Sequence, residues 1–217
     1  MTRRFKGVIF DMDGVLVDSE PAIAEAAIRA LAKYGVKAVR SDFTPFVGAG
    51  EDRFIGGVAE KHGLAYTTNM KAETYDVYDE IIGEYIRLYD NAADCVAKIK
   101  SAGYITALAS AADRRKVEAN LRAACIPAEL FEVLLTGEDV KNKKPDPDIY
   151  ILAGKRIGLS PSECVVIEDA VNGVKAAKAA GMAAVGVLSA FSAETLIEAG
   201  ADYIIKDISG LPEFLGL

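Results

Sequence analysis

The scarcities of this chain narrow its chemistry first. It has one histidine, His62, so multi-histidine zinc sites and any acid–base scheme that needs a second imidazole are excluded. Its three cysteines, Cys95, Cys125 and Cys164, are odd in number and widely spaced, which supports neither a disulfide framework nor a CxxC metal site; buried free thiols in a reducing cytosol are expected. No apolar run approaches the length of a membrane span. The basic start Met1-Thr2-Arg3-Arg4 leads into a strand-length apolar stretch that ends in aspartates, unlike the core of a signal peptide, and a cytoplasmic location is expected. Positive charge is also short: 25 lysines and arginines stand against 32 acidic residues, a formal net charge of -7, which argues against nucleic acid as a partner. A small anionic substrate would need local help from a metal or a lysine. Repeats, low-complexity tracts and charge blocks are lacking.

What is present is a globular composition. With 217 residues, 51% hydrophobic and 26% charged, the chain can bury one large core and a small second module. The stretch that organises it is residues 5–19, FKGVIFDMDGVLVDS. The apolar, β-branched run Gly7-Val8-Ile9-Phe10 reads as a buried strand and delivers Asp11 and Asp13 into a loop. Side chains alternate along an extended backbone, which puts both carboxylates on one side. Two like charges so placed are costly without a cation or a proton between them.

After Ser19, a candidate N-cap, the apolar positions Ile23, Ala26, Ala27, Ala30 and Leu31 recur at helical spacing until Gly35. Pro45 and Gly48-Ala49-Gly50 predict a loop, residues 51–61 a helix with Phe54, Ile55 and Val58 inward, and residues 69–89 another. In that last helix Tyr75, Tyr78, Ile82, Tyr85 and Ile86 form a stripe whose role is packing. From about residue 92 the texture becomes that of a parallel sheet with crossover helices. Strands are predicted at 105–109, 133–136, 164–167, 183–187 and 203–205, with helices at 94–102, 113–124, 148–157, 171–180 and 193–199 between and after them. Glycines at 103, 158, 181 and 200 close helices.

In open parallel sheets ligands bind beyond the carboxyl ends of the strands. The residues just past each apolar run are Asp11 and Asp13, Ser110, the Lys143-Lys144-Pro145 segment, and Glu168-Asp169. Alone, each has a bland explanation: a helix cap for Ser110, a solvated lysine for Lys144, a turn for the acidic pair. Together, in order, they supply hard oxygen ligands for Mg2+, a hydroxyl and a lysine for phosphate oxygens, and a carboxylate able to accept a phosphoryl group.

This set resembles the haloacid dehalogenase (HAD) superfamily, and the likeness covers essentially the whole chain. Its motifs are similar to Asp11-Met12-Asp13-Gly14-Val15, Ala109-Ser110, Lys144 in KKPDPDIY, and Val166-Ile167-Glu168-Asp169-Ala170 followed by Asn172-Gly173. The resemblance implies that Asp11 is the nucleophile and Asp13 the general acid/base, the latter also offering its main-chain carbonyl to Mg2+. It implies that Ser110 and Lys144 hold the phosphoryl group, that Asp169 ligates the metal, and that Glu168 stands close by. The expected metal set is therefore Asp11, Asp13, Glu168 and Asp169, and the expected substrate-binding set Ser110, Ala111, Lys144, Glu51, Arg53 and Asn172.

The helical insertion and Ser19-Glu20-Pro21 resemble the branch containing β-phosphoglucomutase and sugar-phosphate phosphatases. The chain departs from the mutases in having Ala22-Ile23 where they carry a histidine, and Gly50-Glu51 where they carry a cap arginine. Arg53 replaces that arginine if its helix turns it inward; otherwise it is solvated. Lys143 stands where a glycine commonly precedes the motif lysine.

The expectation is an α/β protein: a Rossmann-like parallel sheet flanked by helices, from residues 1–17 and 89–217, with a small all-helical cap of residues 18–88 inserted after the first strand. It is expected to be a monomeric, Mg2+-dependent phosphatase of a small phosphorylated metabolite, a sugar or polyol phosphate. The alternatives are a β-phosphoglucomutase-type phosphotransferase and a phosphoaspartate signalling or binding module.

Overall fold

The computed structural model describes residues 4–46 and 50–217, so the first three residues of the basic start and Gly48-Ala49 of the expected loop lie outside the described residues. Strand β1 (Gly7–Phe10) is buried at every position, as an uninterrupted apolar run must be when both faces of a sheet are covered. The chain then forms β2 (Val17–Asp18) and enters α1 (Glu20–Ala32), whose first turn holds Pro21 and whose alanines at 22, 24, 26, 27 and 30 are all buried. Two 3-10 turns, Arg40–Asp42 and Thr44–Phe46, lead to α2 (Glu51–Lys61) and then α3 (Thr68–Tyr85).

These helices bury a core of their own. Leu31, Phe43, Phe54, Ile55 and Tyr78 belong to it, and the rings of Phe43 and Phe54 lie 4.8 Å apart between centroids. Tyr75, Tyr78 and Ile82 are buried, so the expected stripe does pack. Helix α3 ends at Tyr85, short of the expected 89, because Ile86 turns extended and the next two residues pair elsewhere. They form β3 (Arg87–Leu88), antiparallel to β2, with Val17 opposite Leu88 and Asp18 opposite Arg87. The expected junctions at 17/18 and 88/89 fall on this ribbon.

The remainder alternates as expected: α4 (Ala92–Ser101), β4 (Ile105–Ala109), α5 (Arg114–Ala123), β5 (Val133–Leu135), α6 (Asp148–Arg156), β6 (Cys164–Glu168), α7 (Val171–Ala179), β7 (Ala183–Val187), α8 (Ala193–Glu198), β8 (Tyr203–Ile205) and α9 (Leu211–Phe214). The sheet is parallel in the order β5-β4-β1-β6-β7-β8. The chain leaves β1 through β4 and β5 on one side, then crosses back to β6, β7 and β8 on the other. The switch point of the topology is therefore the end of β1, where Asp11 stands.

One expectation fails here. Cys95 and Cys164 are buried, but Cys125 is exposed, because it terminates α5 in the left-handed conformation (φ 52) at the surface. No helix among the described residues is long and apolar enough to cross a membrane.

Candidate active site

The sheet continues one hydrogen bond past β1, the Asp11 amide donating to the Ile167 carbonyl at 3.0 Å, and this fixes the backbone that carries the first carboxylate. Lys144 reaches it from the segment after β5. Its ammonium lies 2.6 Å from Asp11 Oδ1, 2.8 Å from Glu168 Oε1 and 3.2 Å from the Ala109 carbonyl, so one buried cation ties the ends of β1, β4 and β6 together. Glu168 is further held by the Tyr150 hydroxyl at 3.0 Å and by the Ala170 amide at 2.9 Å. A Cβ on Gly173 would fall 1.6 Å from Glu168 Oε1, so the start of α7 approaches that closely only as glycine.

Burial, opposed by Lys144 and aided by Glu168, pushes the Asp11 carboxyl up to about 7. Burial foremost, then Glu168 and Asp11, raises that of Asp169 well above the carboxylate range. Burial works against the charge of Lys144, but Asp11 and Glu168 outweigh it and hold the ammonium protonated. Asp169 is kept in place by the Ser189 hydroxyl at 3.0 Å, and Gly14 (φ 80) lies so near that a Cβ there would sit 1.8 Å from its Oδ2. Asp11 and Asp169 thus form a crowded, desolvated pair of hard oxygen donors. That is the chemistry a Mg2+ ion fits, bound by one or two carboxylates with water and phosphate completing its shell. Among the described residues no three side chains converge as a ready-made metal cage.

Asp13 is drawn the other way. Its Oδ2 lies 2.8 Å from Lys116 Nζ, and its Oδ1 accepts from Asn120 Nδ2 at 3.2 Å and from the Ser19 hydroxyl. Ser19 stands at the N-cap of α1, yet its side chain bonds Asp13 rather than capping the helix. Asn120 is in turn bonded by the Tyr78 hydroxyl of α3. Lys116 and Asn120, one turn apart on α5, are both buried.

A cavity of about 600 Å3 opens over this floor, lined by Asp11, Asp13, Ser110, Glu168 and Asp169 and walled by Thr44, Phe46, Glu51, Phe54, Tyr89 and Phe191. Ser110, Ala111, Glu51 and Asn172 all line it. Ser110 is buried after β4, its hydroxyl accepting from the Ala112 amide at 3.2 Å; the N-cap of α5 is Asp113. Lys144 meets the floor of this cavity through Asp11 and Glu168, both of which line it. One expectation needs correction. Arg53 does not reach the cavity: its side chain is 56% exposed, paired with Glu60 at 2.7 Å and stacked over the Phe46 ring. Lys143 is exposed, its ammonium 3.5 Å from where a Cβ on Gly50 would stand.

Sequence reasoning passed over Lys116, Asn120, Ser19 as a partner of Asp13, and Tyr78. The one available signal was the i, i+4 pairing of Lys116 and Asn120 on a helix expected to pack.

Comparison with known proteins gives the same picture. The family model for haloacid dehalogenase-like hydrolases matches residues 5–181. Protein SUPPRESSOR OF QUENCHING 1, chloroplastic, from Arabidopsis thaliana is 37% identical over 214 residues, but the match takes in 96% of this chain and only 20% of that protein. A phosphorylated carbohydrates phosphatase of Thermotoga maritima is 33% identical, over 93% of this chain and 94% of its own length. Among solved structures, CbbY from Rhodobacter sphaeroides in complex with phosphate superposes with a TM-score of 0.84 at 28% identity, covering 98% of this chain and all of that one (100%).

Proposed function

This chain belongs to the haloacid dehalogenase-like hydrolases, and on that premise we propose that it is a Mg2+-dependent phosphatase of sugar or polyol phosphates that works through a phosphorylated Asp11. Its relatives include phosphatases of small phosphorylated metabolites. The observation that carries the reading is the division of labour around β1: Asp11 clamped with Glu168 by Lys144 and beside Asp169, Asp13 held by separate donors, the four acids all lining the same cavity.

An oxygen of Asp11 attacks phosphorus as the bond to the leaving-group oxygen breaks, and Asp13 delivers a proton to that oxygen. The alcohol departs. Asp13, now ionised, takes a proton from water as the water oxygen attacks phosphorus, and the bond to Asp11 breaks to release phosphate. Lys144 orients Asp11 through Oδ1 and places a positive charge beside the reacting centre. Asp11, Asp169 and the Asp13 main-chain carbonyl would hold Mg2+, which when bound would supply charge neutralisation for the phosphoryl oxygens. Residues 18–88 act as a cap joined through the β2–β3 ribbon, and their apolar side chains Phe46 and Phe54 exclude water from the cavity.

Among the described residues lining the cavity, Lys116 is the sole basic side chain, and it is already engaged by Asp13. That leaves a second phosphate without a cation and disfavours the mutase alternative. The test is phosphate release from sugar, polyol and nucleotide monophosphates with and without Mg2+, alongside β-glucose 1-phosphate with a trace of glucose 1,6-bisphosphate assayed for glucose 6-phosphate. Metal-dependent release from sugar or polyol phosphates is expected. Isomerised sugar without free phosphate would overturn the reading.

A further inference from the structure

Glu51 is the first residue of α2 and one of the few charged side chains nearly sealed from solvent, at 7% exposure. Its placement follows from the helix period: residues 51, 54, 55 and 58 lie on one stripe, and all four are buried. Glu51 Oε1 lies 3.6 Å from Lys116 Nζ, beyond hydrogen-bond range, while that ammonium is 2.8 Å from Asp13 Oδ2. Glu51 Oε2 is buried and has no hydrogen-bond partner among the described residues. A carboxylate oxygen in that condition carries a desolvation cost that a hydrogen-bond donor relieves. Were Glu51 simply the counter-ion of Lys116, its second oxygen would need another donor, and among the described residues none stands within hydrogen-bond distance of it.

The surroundings say which donor. Glu51 lines the cavity in company with Thr44, Phe46 and Phe54. Beyond the reacting carboxylates the wall adds Asp18, Glu20 and Glu51 against Lys116 alone. A leaving group there meets hydrogen-bond acceptors and aromatic faces, and among the described lining residues acidic side chains outnumber basic ones. Hydroxyls satisfy the acceptors, and the C–H faces of a carbohydrate satisfy the rings. A second carboxylate or phosphate would face like charge in a desolvated place.

We propose that Glu51 is a specificity-determining residue: it accepts a hydroxyl of the leaving group through its unpartnered oxygen and repels a second anion. The site accordingly takes phosphomonoesters of neutral polyhydroxylated alcohols and rejects those bearing a distal carboxylate or phosphate. This rests on the phosphatase reading above, and the experiment separates the two. Wild type, Glu51→Gln and Glu51→Arg are assayed with Mg2+ on p-nitrophenyl phosphate, glucose 6-phosphate, glycerol 3-phosphate, phosphoglycolate and fructose 1,6-bisphosphate, with circular dichroism as the folding control. The wild type is expected to favour the two hydroxylated monophosphates over the two anionic probes. Glu51→Gln is expected to shrink that kcat/KM ratio by about tenfold or more, chiefly through KM, and Glu51→Arg to shrink it further. A folded Glu51→Gln protein with the wild-type ratio would overturn the proposal. Should the variants not fold, the wild type decides alone: equal handling of phosphoglycolate and glycerol 3-phosphate overturns it. A wild type that releases no nitrophenol, or an Asp11→Asn control that releases it undiminished, instead overturns the phosphatase reading itself.

Discussion

Two buried lysines flank the loop after β1, and they are built differently. Lys144 bridges Asp11 at 2.6 Å and Glu168 at 2.8 Å, with side-chain exposures of 7%, 10% and 2%. Lys116 bridges Asp13 at 2.8 Å and Glu51 at 3.6 Å, and the Asp13 side chain is 34% exposed. The first clamp joins strand ends within one sheet, where close packing fixes every partner. The second spans from α5, which contributes to both the sheet's core and the helical one, to α2, and one of its contacts is left long. Chemistry at Asp11 needs a fixed nucleophile; recognition of a leaving group needs acceptors that are not already satisfied by the protein.

The largest test of the contrast is Asp11→Asn. An amide cannot serve as the nucleophile, so Mg2+-dependent phosphate release should fall on the order of a thousandfold or more, followed by steady-state kinetics. Near-normal turnover would remove Asp11 from its role. Next comes stability. Lys144→Met leaves Asp11 and Glu168 buried without their cation, Glu168 keeping only the Tyr150 and Ala170 donors, a loss of about 3–5 kcal/mol, or roughly 10 °C in Tm. Lys116→Met should cost less, since Asp13 keeps Ser19 and Asn120 as donors and stays partly in water, and the loss falls chiefly on the buried Glu51. Equal losses in thermal melts of the two variants would show the clamps to be equivalent and the comparison mistaken.

The Lys144 side of that contrast was legible in the sequence and the Lys116 side was not, for a physical reason. Asp11, Ser110 and Glu168 stand at or directly after apolar strands, and strand ends in a parallel sheet share one edge whatever the loops do. Lys144 lies well past β5, so position pointed only to the Lys143-Lys144-Pro145 segment and the resemblance singled out Lys144 within it. Lys116 and Asn120 sit within a helix that otherwise reads as polar, and their burial depends on α3, whose Tyr78 comes 42 residues earlier than Asn120. No local pattern encodes that contact. The β2–β3 ribbon was missed because two-residue strands fall below any period-two signal.

The clamped side also carries a stored electrostatic cost that pH exposes. With the Asp11 carboxyl pushed up from its ordinary 3.8 to about 7, mainly by burial, the folded chain keeps a proton that the unfolded chain has lost across that interval. Stability contributed by this group therefore falls as pH rises from about 4 to 7 and stays lowered above. In a chelator, Tm is expected to be a few °C lower at pH 8 than at pH 5.5, with a flatter profile in Asp11→Asn. Adding Mg2+ at pH 8 should restore the difference, because an ion that binds the folded state stabilises it by mass action. A wild-type Tm that rises through this range alongside the variant would refute the assignment.

The smallest expected effect concerns Arg53, two residues from Glu51 and turned away from it. Successive helical positions rotate by about 100°, so a stripe that places 51, 54, 55 and 58 inward sets 53 on the outer face. There Arg53 pairs with Glu60, itself 54% exposed, and water screens the pair. Arg53→Ala should shift Tm by less than about 2 °C and leave kcat/KM on glucose 6-phosphate within about twofold, whereas Glu51→Gln changes selectivity. A drop in Arg53→Ala confined to bisphosphate substrates would mean that α2 turns in solution to present the arginine, and the acidic end of the cavity would then have to be read as a two-phosphate site.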